Sequence, residues 1–417
     1  MRIMLGLLVA AVATILAVPR DDDGLLVVHE WGTFTNFSGS DGVHLEFRPL
    51  ADNDLPAFVF DRARQAGGID FNMFLKRETV ARTRMETPVT YFYTDRERVV
   101  DVSVGFPQGL LTEFYPPVRQ MTPDFLWDEV PNLTHSILDW GTLRILPEEQ
   151  FRALQETAAL DGETLTLPES ENDDHYAAAR ETDSAILEFN DTTGEHGKHY
   201  EKFLFYRGVG NFQIPLVLAA HGADQYELTN AGADPVRSLF LVDVNGEEIR
   251  FSQYDQVGGR AQMAMATPQQ TSTIDELAEA VVAALVDEGL FEKEARAMVK
   301  TWRGSWFAEP GVRLLYMVPR ALTDKLLPIQ IEPQPDELVR VLVGRLEVLS
   351  PEHEQQIAKL VTDLTAGDEI SCKHASTELA KFGRFAEPAL ERARRTATDE
   401  DARRRAEDLI HWIRRQR

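Results

Sequence analysis

The sequence contains a single cysteine, Cys372, among its 417 residues. An intramolecular disulfide is therefore impossible, and cysteine-based zinc or iron–sulfur sites are excluded because they need several thiolates. Positive charge is also scarce, since 43 Lys and Arg residues stand against 68 Asp and Glu residues, for a formal net charge of −25. Such a field repels phosphate groups, so we expect no nucleic-acid partner. Cationic or neutral ligands, including divalent metals and glycans, remain allowed.

Long apolar runs are lacking after the first 20 residues. Near the N-terminus, Ile3–Val18 is a run without charge that follows Arg2. It is shorter than the roughly 20 residues of a membrane span and is typical of a secretory signal peptide. Ala17 offers an imperfect cleavage position, so an uncleaved N-terminal anchor is the alternative. We expect an exported protein, periplasmic or secreted, with residues 1–20 as leader and no other membrane contact.

Alternating apolar and polar residues predict a β-rich body from 24 to 349. Between 84 and 116, the runs TPVTYFYT, VVDVSVGF and LLTEFYP are separated by DRER and PQG, a pattern that favours an antiparallel meander with one buried face. A second β region, about 202–267, contains Asn245-Gly246, which is the strongest short hairpin signal. The expected fold class is α+β, with a β-dominated, sandwich-like body.

Helical patterns interrupt this body once and replace it at the C-terminus. A capping box of Thr273 and Glu276 starts a predicted pair of helices at about 273–305. Trp302 and Trp306, four residues apart near the end of this pair, are typical of a core stripe, with a sugar-stacking platform as the alternative. Ser350-Pro351 then caps a run of helices, so residues 350–417 form a helical tail.

The stretch LLVVHEWGTFTNF places His29 and Glu30 side by side in a strand-like run. Successive side chains of a strand point to opposite faces, so the two cannot serve one site unless a bulge intervenes, and Gly32 is a plausible bulge position. Two interpretations stay open. Either neighbours satisfy both groups, or one of the two binds or catalyses, because burying a carboxylate without purpose is costly.

Three further residues join the candidate catalytic set. In the predicted meander, Asp101 and Glu113 lie on the polar face as diagonal neighbours, roughly 5.5–8 Å apart. Carboxylates that close push their pKa values apart, as acid/base chemistry or a divalent cation requires, whereas a solvated sheet face is the simpler interpretation. Arg180 ends the segment HYAAAR and would share one side of a short helix with Tyr176.

Histidines cluster at one place in the sequence. His175, His196 and His199 lie in polar segments with acidic residues beside them. Three imidazoles with carboxylates suit zinc or another divalent metal. Unliganded histidines on surface loops are the alternative interpretation.

Seven stretches carry a family resemblance: HEWGTFT (29–35), METPVTYFY (85–93), FPQGLLTEFYP (106–116), EKFLFYRGVG (201–210), KTWRGSWF (300–307), LLYMVPR (314–320) and VRVLVGR (339–345). In these stretches the chain resembles a family of exported bacterial proteins of uncharacterised function. The C-terminal helices resemble the HEAT-like tails appended in such proteins. The resemblance implies export and one long β-rich body, and it assigns no catalytic role.

Two functions are consistent with these patterns. In the first, the protein is an exported hydrolase that acts on a small molecule through carboxylates with a histidine or a bound metal. In the second, it is a non-catalytic envelope protein that binds a glycan or a protein through its β face and its helical tail. Convergence of the candidate residues in one cleft would favour the enzyme.

Overall fold

The computed structural model describes residues 24–47, 55–62, 81–124, 133–170, 175–190, 198–221 and 225–415. The predicted leader, residues 1–20, lies outside these ranges. Within them, no helix is long and apolar enough to cross a membrane.

An eleven-stranded sheet forms the centre of the body. In spatial order its strands are β17 (Thr271–Ser272), β15 (Glu248–Val257), β14 (Val236–Asn245), β18 (Gly311–Met317), β20 (Glu337–Val348), β1 (Leu26–Ser38), β4 (Thr83–Thr94), β11 (Leu204–Gly210), β6 (Gly109–Tyr115) and β3 (Phe60–Asp61), with β2 (His44–Leu45) paired to β1. Strands β1 and β20 run parallel, although they lie at opposite ends of the body sequence. The other neighbours in this sheet are antiparallel.

Two smaller antiparallel sheets accompany the large one. The second sheet has the order β10 (Lys198–Glu201), β9 (Ile186–Asn190), β8 (Ser136–Leu146), β5 (Arg98–Phe106) and β19 (Ile329–Glu332), with β7 (Gln120–Thr122) paired to β8. The third sheet consists of β12 (Leu216–Ala220), β13 (Gln225–Asn230) and β16 (Ala261–Ala266). Apolar side chains of the large and second sheets belong to one core, as a sandwich requires.

The three strands predicted between 84 and 116 are present as β4, β5 and β6, but the meander pairing is wrong. Strand β4 pairs with β1 and β11, and β6 pairs with β11 and β3. Strand β5 instead pairs with β8 and β19 in the second sheet. The chain therefore crosses between the sheets at each of the two turns. The inward faces of all three strands share one core, which is why the alternation looked like one buried side of a single sheet.

Helices flank the body and form its C-terminal tail. In the body they are α1 (Glu148–Leu160), α2 (His175–Ala178), α3 (Ile274–Asp287), α4 (Glu292–Arg303) and α5 (Arg320–Leu326), and in the tail α6 (Pro351–Ala366), α7 (Glu369–Phe382), α8 (Glu387–Thr396) and α9 (Glu400–Arg415). The predicted capping box of Thr273 and Glu276 is confirmed at the start of α3. The expected α+β fold class, with an inserted helical pair and a helical tail, is confirmed.

The inserted pair packs into the main core. Trp302 and Trp306 are buried, and their rings stack with centroids 6.3 Å apart. The core-stripe interpretation is confirmed. A sugar platform at these two rings is wrong, because a platform needs an accessible face.

The tail has its own apolar cluster, and this cluster includes residues of the body. Phe37 near the end of β1 and Leu349 just after β20 are buried among the tail side chains Ile357, Leu379 and Leu390. Two polar contacts flank them. Glu354 accepts a hydrogen bond from the Ser40 backbone N–H at 2.9 Å, and Arg395 pairs with Glu46 at 2.8 Å. The tail is thus docked where the two parallel strands end.

Candidate functional site

His29 lies in β1 beneath helix α4. Its Nδ1 is 2.7 Å from Oε2 of Glu294, whose Oε1 accepts a hydrogen bond from the Tyr93 hydroxyl, also at 2.7 Å. Glu294 also accepts from the backbone N–H of Phe291, and the Phe291 ring lies 4.4 Å from the His29 ring. Burial, together with the Glu294 charge, raises the pKa of Tyr93, so this phenol stays protonated and donates. In this structure His29 and Glu294 anchor the start of α4 to the sheet.

Glu30 has different partners, on the other face of the same strand. Arg340 of β20 donates to Glu30 from Nε at 2.6 Å, and the Tyr206 hydroxyl donates to the other carboxylate oxygen. The side chains of Glu30 and Arg340 are both fully enclosed. A β-bulge does lie at Gly32, the plausible position, as a register shift between Trp31 and Thr33 against β4 shows. It follows the His-Glu pair and therefore does not bring the two groups together.

Asp101 and Glu113 do not form the predicted carboxylate pair. Asp101 of β5 faces Thr142 and Glu332 in the second sheet, and its carboxylate accepts a hydrogen bond from Thr142 at 2.9 Å. Its side chain is 51% exposed. Glu113 of β6 is buried in the large sheet, where it faces Arg207. The predicted diagonal contact is wrong because the two strands belong to different sheets.

Arg180 takes part in a local buried network. Its Nη2 lies 2.6 Å from Glu201, and Tyr176 donates to the same carboxylate at 3.2 Å. The guanidinium also lies over the Tyr176 ring, 5.3 Å from its centroid. Tyr176 and Arg180 therefore do share one side, as the spacing predicted. The network holds α2 against the body.

The predicted metal site lies partly outside the described residues. His196 falls outside them, and His175 begins α2, but its side chain is not described. His199 of β10 stacks on Phe189 with ring centroids 5.5 Å apart. Within the described ranges, no group of three or more His, Cys, Asp or Glu residues is placed to hold a metal ion. The three-histidine site remains a prediction, and the five candidate catalytic residues do not share one set of contacts.

A cavity of about 610 Å³ lies instead at the junction of body and tail. We call it the junction cavity. It is lined by Asp243, Val244, Asn245, Glu309, Pro310, Gly311, Val312, Val348, Leu349, Ser350, His353, Ala380, Lys381, Phe382, Gly383, Phe385, Trp412 and Ile413. The body supplies the ends of β14 and β20 and the start of β18, and the tail supplies α6, α7 and α9.

Two glycine positions explain how the cavity is built. The predicted hairpin between β14 and β15 is present, but its two turn residues are Gly246, with a φ of +62°, and Glu247, because the cavity residue Asn245 still pairs with Glu248 in the sheet. Gly311 has a φ of +120°, and a Cβ there would lie 2.2 Å from the Phe385 ring. Only glycine lets the tail approach the start of β18 this closely.

Asp243 is a half-buried acidic residue of the junction cavity. Burial raises its pKa above the ordinary value, and the positive charges of Arg250 and Arg313, together with His353, offset this only in part. Within the described part of the chain, its carboxylate forms no hydrogen bond or ion pair. Burial of Tyr226, together with the nearby Asp243 charge, raises the pKa of that phenol to about 12. The surrounding positive charges thus compensate the Asp243 carboxylate only in part.

The remaining walls of the junction cavity are mainly apolar. Trp412 of α9 is 43% exposed, and the His353 ring meets Phe382 edge-on at 5.4 Å. A second cavity of about 980 Å³ on the tail shares Ala380, Lys381 and Trp412 with the first. An apolar pocket with a few polar groups is the usual form of a small-molecule site.

Sequence reasoning missed this site. Asp243, His353 and Trp412 come from three separate elements and show no common spacing. The Asn245-Gly246 turn and the Ser350-Pro351 cap mark two of the chain segments that meet at the cavity, but neither signal says that they meet. A tryptophan on a surface helix of otherwise charged sequence, HWIRR, was the one available hint.

Comparisons with known proteins assign no family. No protein-family model and no curated protein matches the sequence. Among solved structures, the zebrafish (Danio rerio) Fcho1 mu homology domain with bound Eps15 peptide aligns with 79% of this chain and 98% of its own, at 7% identity and a TM-score of 0.28. The yeast delta-COP-I mu-homology domain complexed with a Dsl1 WxWxV peptide aligns with 80% and 98%, at 10% identity and a TM-score of 0.24. Scores this low support no argument about function.

Proposed function

We propose that the protein is an exported, non-catalytic binding protein and that the junction cavity is its ligand-binding site. The observation that carries the proposal is the cavity itself, about 610 Å³ in volume and lined by both body and tail. This volume is within the range of sites for small ligands, roughly 300–1,000 Å³. The charge-free run at 3–18 supports export.

The hydrolase hypothesis has less support. Catalysis by a carboxylate and a histidine needs both within reach of one reacting atom. Glu30 is enclosed with Arg340, Asp101 faces solvent in another sheet, and Glu113 faces Arg207. Each of these groups has a local partner, and none of them lines the junction cavity.

The test fills the junction cavity and asks whether binding is lost. A set of neutral and charged aromatic fragments is screened against the full chain by saturation-transfer NMR. Ala380→Phe places a ring in the cavity, whereas Ala366→Phe adds the same ring to an exposed position of α6 outside the described cavities. We expect fragments that bind the wild type to be lost in Ala380→Phe and retained in Ala366→Phe.

A second variant tests the same site even if Ala380→Phe fails to fold. Trp412→Ala enlarges the cavity rather than filling it and removes an exposed ring. We expect it to weaken the same fragments while its melting temperature stays near that of the wild type. The proposed function would be refuted if the fragments bind both cavity variants as tightly as the wild type. It would also be refuted if no fragment binds the wild type.

A further inference from the structure

The charge of the junction cavity indicates what kind of ligand it accepts. Asp243 lies in β14, where it faces Arg250 of β15 and Val312 of β18. Its carboxylate lines the cavity and has no hydrogen-bond or ion-pair partner within the described residues. Because Asp243 is only half-buried, this unpartnered carboxylate is open to a ligand that enters the cavity.

The two arginine side chains whose charges act on Asp243 bind other groups. The Arg250 guanidinium bonds Glu248 at 2.6 Å. Arg313 is fully buried, lies 3.4 Å from Glu347 and donates to the Trp306 carbonyl at 2.8 Å. Neither side chain therefore neutralises Asp243 by direct contact.

The other charged groups of the cavity leave Asp243 as its unpaired acid. Glu309 is bound to Arg345 at 2.9 Å, and Lys381 reaches Glu378 at 2.6 Å. His353 lies at the start of α6, and its ring contacts Phe382. Burial raises the pKa of Asp243 despite Arg250, Arg313 and His353, so these charges compensate the carboxylate only in part.

We propose that the junction cavity binds an amphiphile with an apolar or aromatic body and one protonated amine, which pairs with Asp243. This inference rests on the proposed function of the cavity. The apolar part of the ligand would contact Phe382, and the exposed ring of Trp412 offers a face for a cation. The net charge of −25 favours the approach of cations to the protein as a whole.

Three probes of nearly equal shape test this inference. They are 2-phenylethylammonium, 2-phenylethanol and 3-phenylpropionate, and their dissociation constants for the full chain are measured by ligand-observed NMR at pH 7.5. We expect the ammonium to bind at least about tenfold more tightly than the alcohol, which corresponds to about 1.4 kcal/mol, and the carboxylate to bind most weakly. Ala380→Phe is expected to abolish binding of the ammonium probe.

Asp243→Asn is the decisive variant. It removes the carboxylate at constant shape, so the preference for the ammonium over the alcohol should disappear while the alcohol keeps its affinity. Asp255→Asn, at an exposed position of β15, changes the net charge equally and should leave the preference intact. The folded state should tolerate Asp243→Asn, because burial already disfavours the charge. Equal melting temperatures of the two variants and the wild type would check this.

The outcomes separate the two proposals. Equal binding of the ammonium and the alcohol by the wild type, or a preference that survives Asp243→Asn, overturns the inference about the amine but leaves the cavity as a binding site. A third outcome is that none of the three probes binds, although other fragments bind the wild type and lose binding in Ala380→Phe. This outcome also overturns the inference about the amine and leaves the proposed function standing. If no fragment binds the cavity at all, both proposals fail.

Discussion

At the scale of single residues, the His-Glu pair of the opening motif is explained by its partners. Glu30 and Arg340 are both fully enclosed, and the Tyr206 hydroxyl supplies a further hydrogen bond. An ion pair in such a place is not required for stability as such, because desolvation offsets much of the attraction. Removing only one partner is costly, however, because the other charge stays buried without a counter-charge. The difference between removing one charge and removing both can be measured.

Arg340→Met tests this asymmetry. It leaves the Glu30 carboxylate buried without its cation, so we expect the free energy of unfolding to fall by about 3–5 kcal/mol. The double variant Glu30→Gln/Arg340→Met should recover a large part of that loss, because neither charge remains. Urea denaturation followed by circular dichroism measures both values.

A matched control shares one partner with Arg340. Arg320 also binds Asp324, at 2.9 Å, but its side chain is exposed. Arg320→Met should therefore cost less than about 1 kcal/mol, as surface ion pairs do. A loss in Arg340→Met no larger than in Arg320→Met would refute the argument that Glu30 needs a buried counter-charge.

Sequence signals gave correct predictions where the structure they predict depends only on neighbouring residues. The bulge at Gly32, the capping box of Thr273 and Glu276, and the cap at Ser350 all depend on a few neighbouring residues, and all are present. The partners of Glu30 were not predictable in this way. Arg340 reaches it only because β20 lies beside β1, a contact that no local pattern encodes.

At the scale of elements, the bounds of the three strands between 84 and 116 were predicted well and their partners were not. A short turn between two alternating runs fits a hairpin, and it fits equally a chain that crosses from one sheet to its facing sheet. In both cases alternate residues are buried, so the registers around Asp101 and Glu113 agreed with each other and still implied the wrong neighbours. The alternation indicated the inward side chains but did not show that β6 is buried on both faces, and pairing depends on contacts distant in sequence.

The docking of the tail on β18 gives a second prediction at this scale. Gly311→Ala forces a Cβ against the Phe385 ring and places a side chain at positive φ. Overpacking of this kind costs about 1–3 kcal/mol, so we expect a lower melting temperature and loosened tail helices. Amide hydrogen exchange in α7 and α9 should be faster than in the wild type, and fragment binding in the junction cavity should weaken.

Gly304 provides the control for this variant. It follows α4 with helical backbone angles, and a Cβ there meets nothing within 4 Å. Gly304→Ala should be neutral or stabilise the protein by up to about 1 kcal/mol, since alanine favours helix. Unchanged exchange in α7 and α9 of Gly311→Ala would contradict the claim that this glycine sets the approach of the tail.

At the scale of the whole molecule, two apolar clusters are joined by the same pair of strands. Residues of β1 such as Trp31 lie in the main core, whereas Phe37, six positions further along the strand, lies in the tail cluster. Strand β20 behaves alike, since Val343 belongs to the main core and Leu349, just beyond the strand, belongs to the tail cluster. Each of these two chain segments contributes side chains to both clusters. Unfolding of one cluster would therefore expose part of a segment on which the other cluster also depends.

This arrangement predicts that body and tail unfold together, although proteins with separate cores often unfold in steps. Differential scanning calorimetry of the full chain should therefore give one transition. Leu390→Ala, within the tail cluster, should lower that single transition, because the roughly 2–5 kcal/mol lost with a buried leucine is shared by the whole unit. Two transitions, of which Leu390→Ala moves only one, would show that the tail folds independently, and the junction cavity would then lie between two units free to separate.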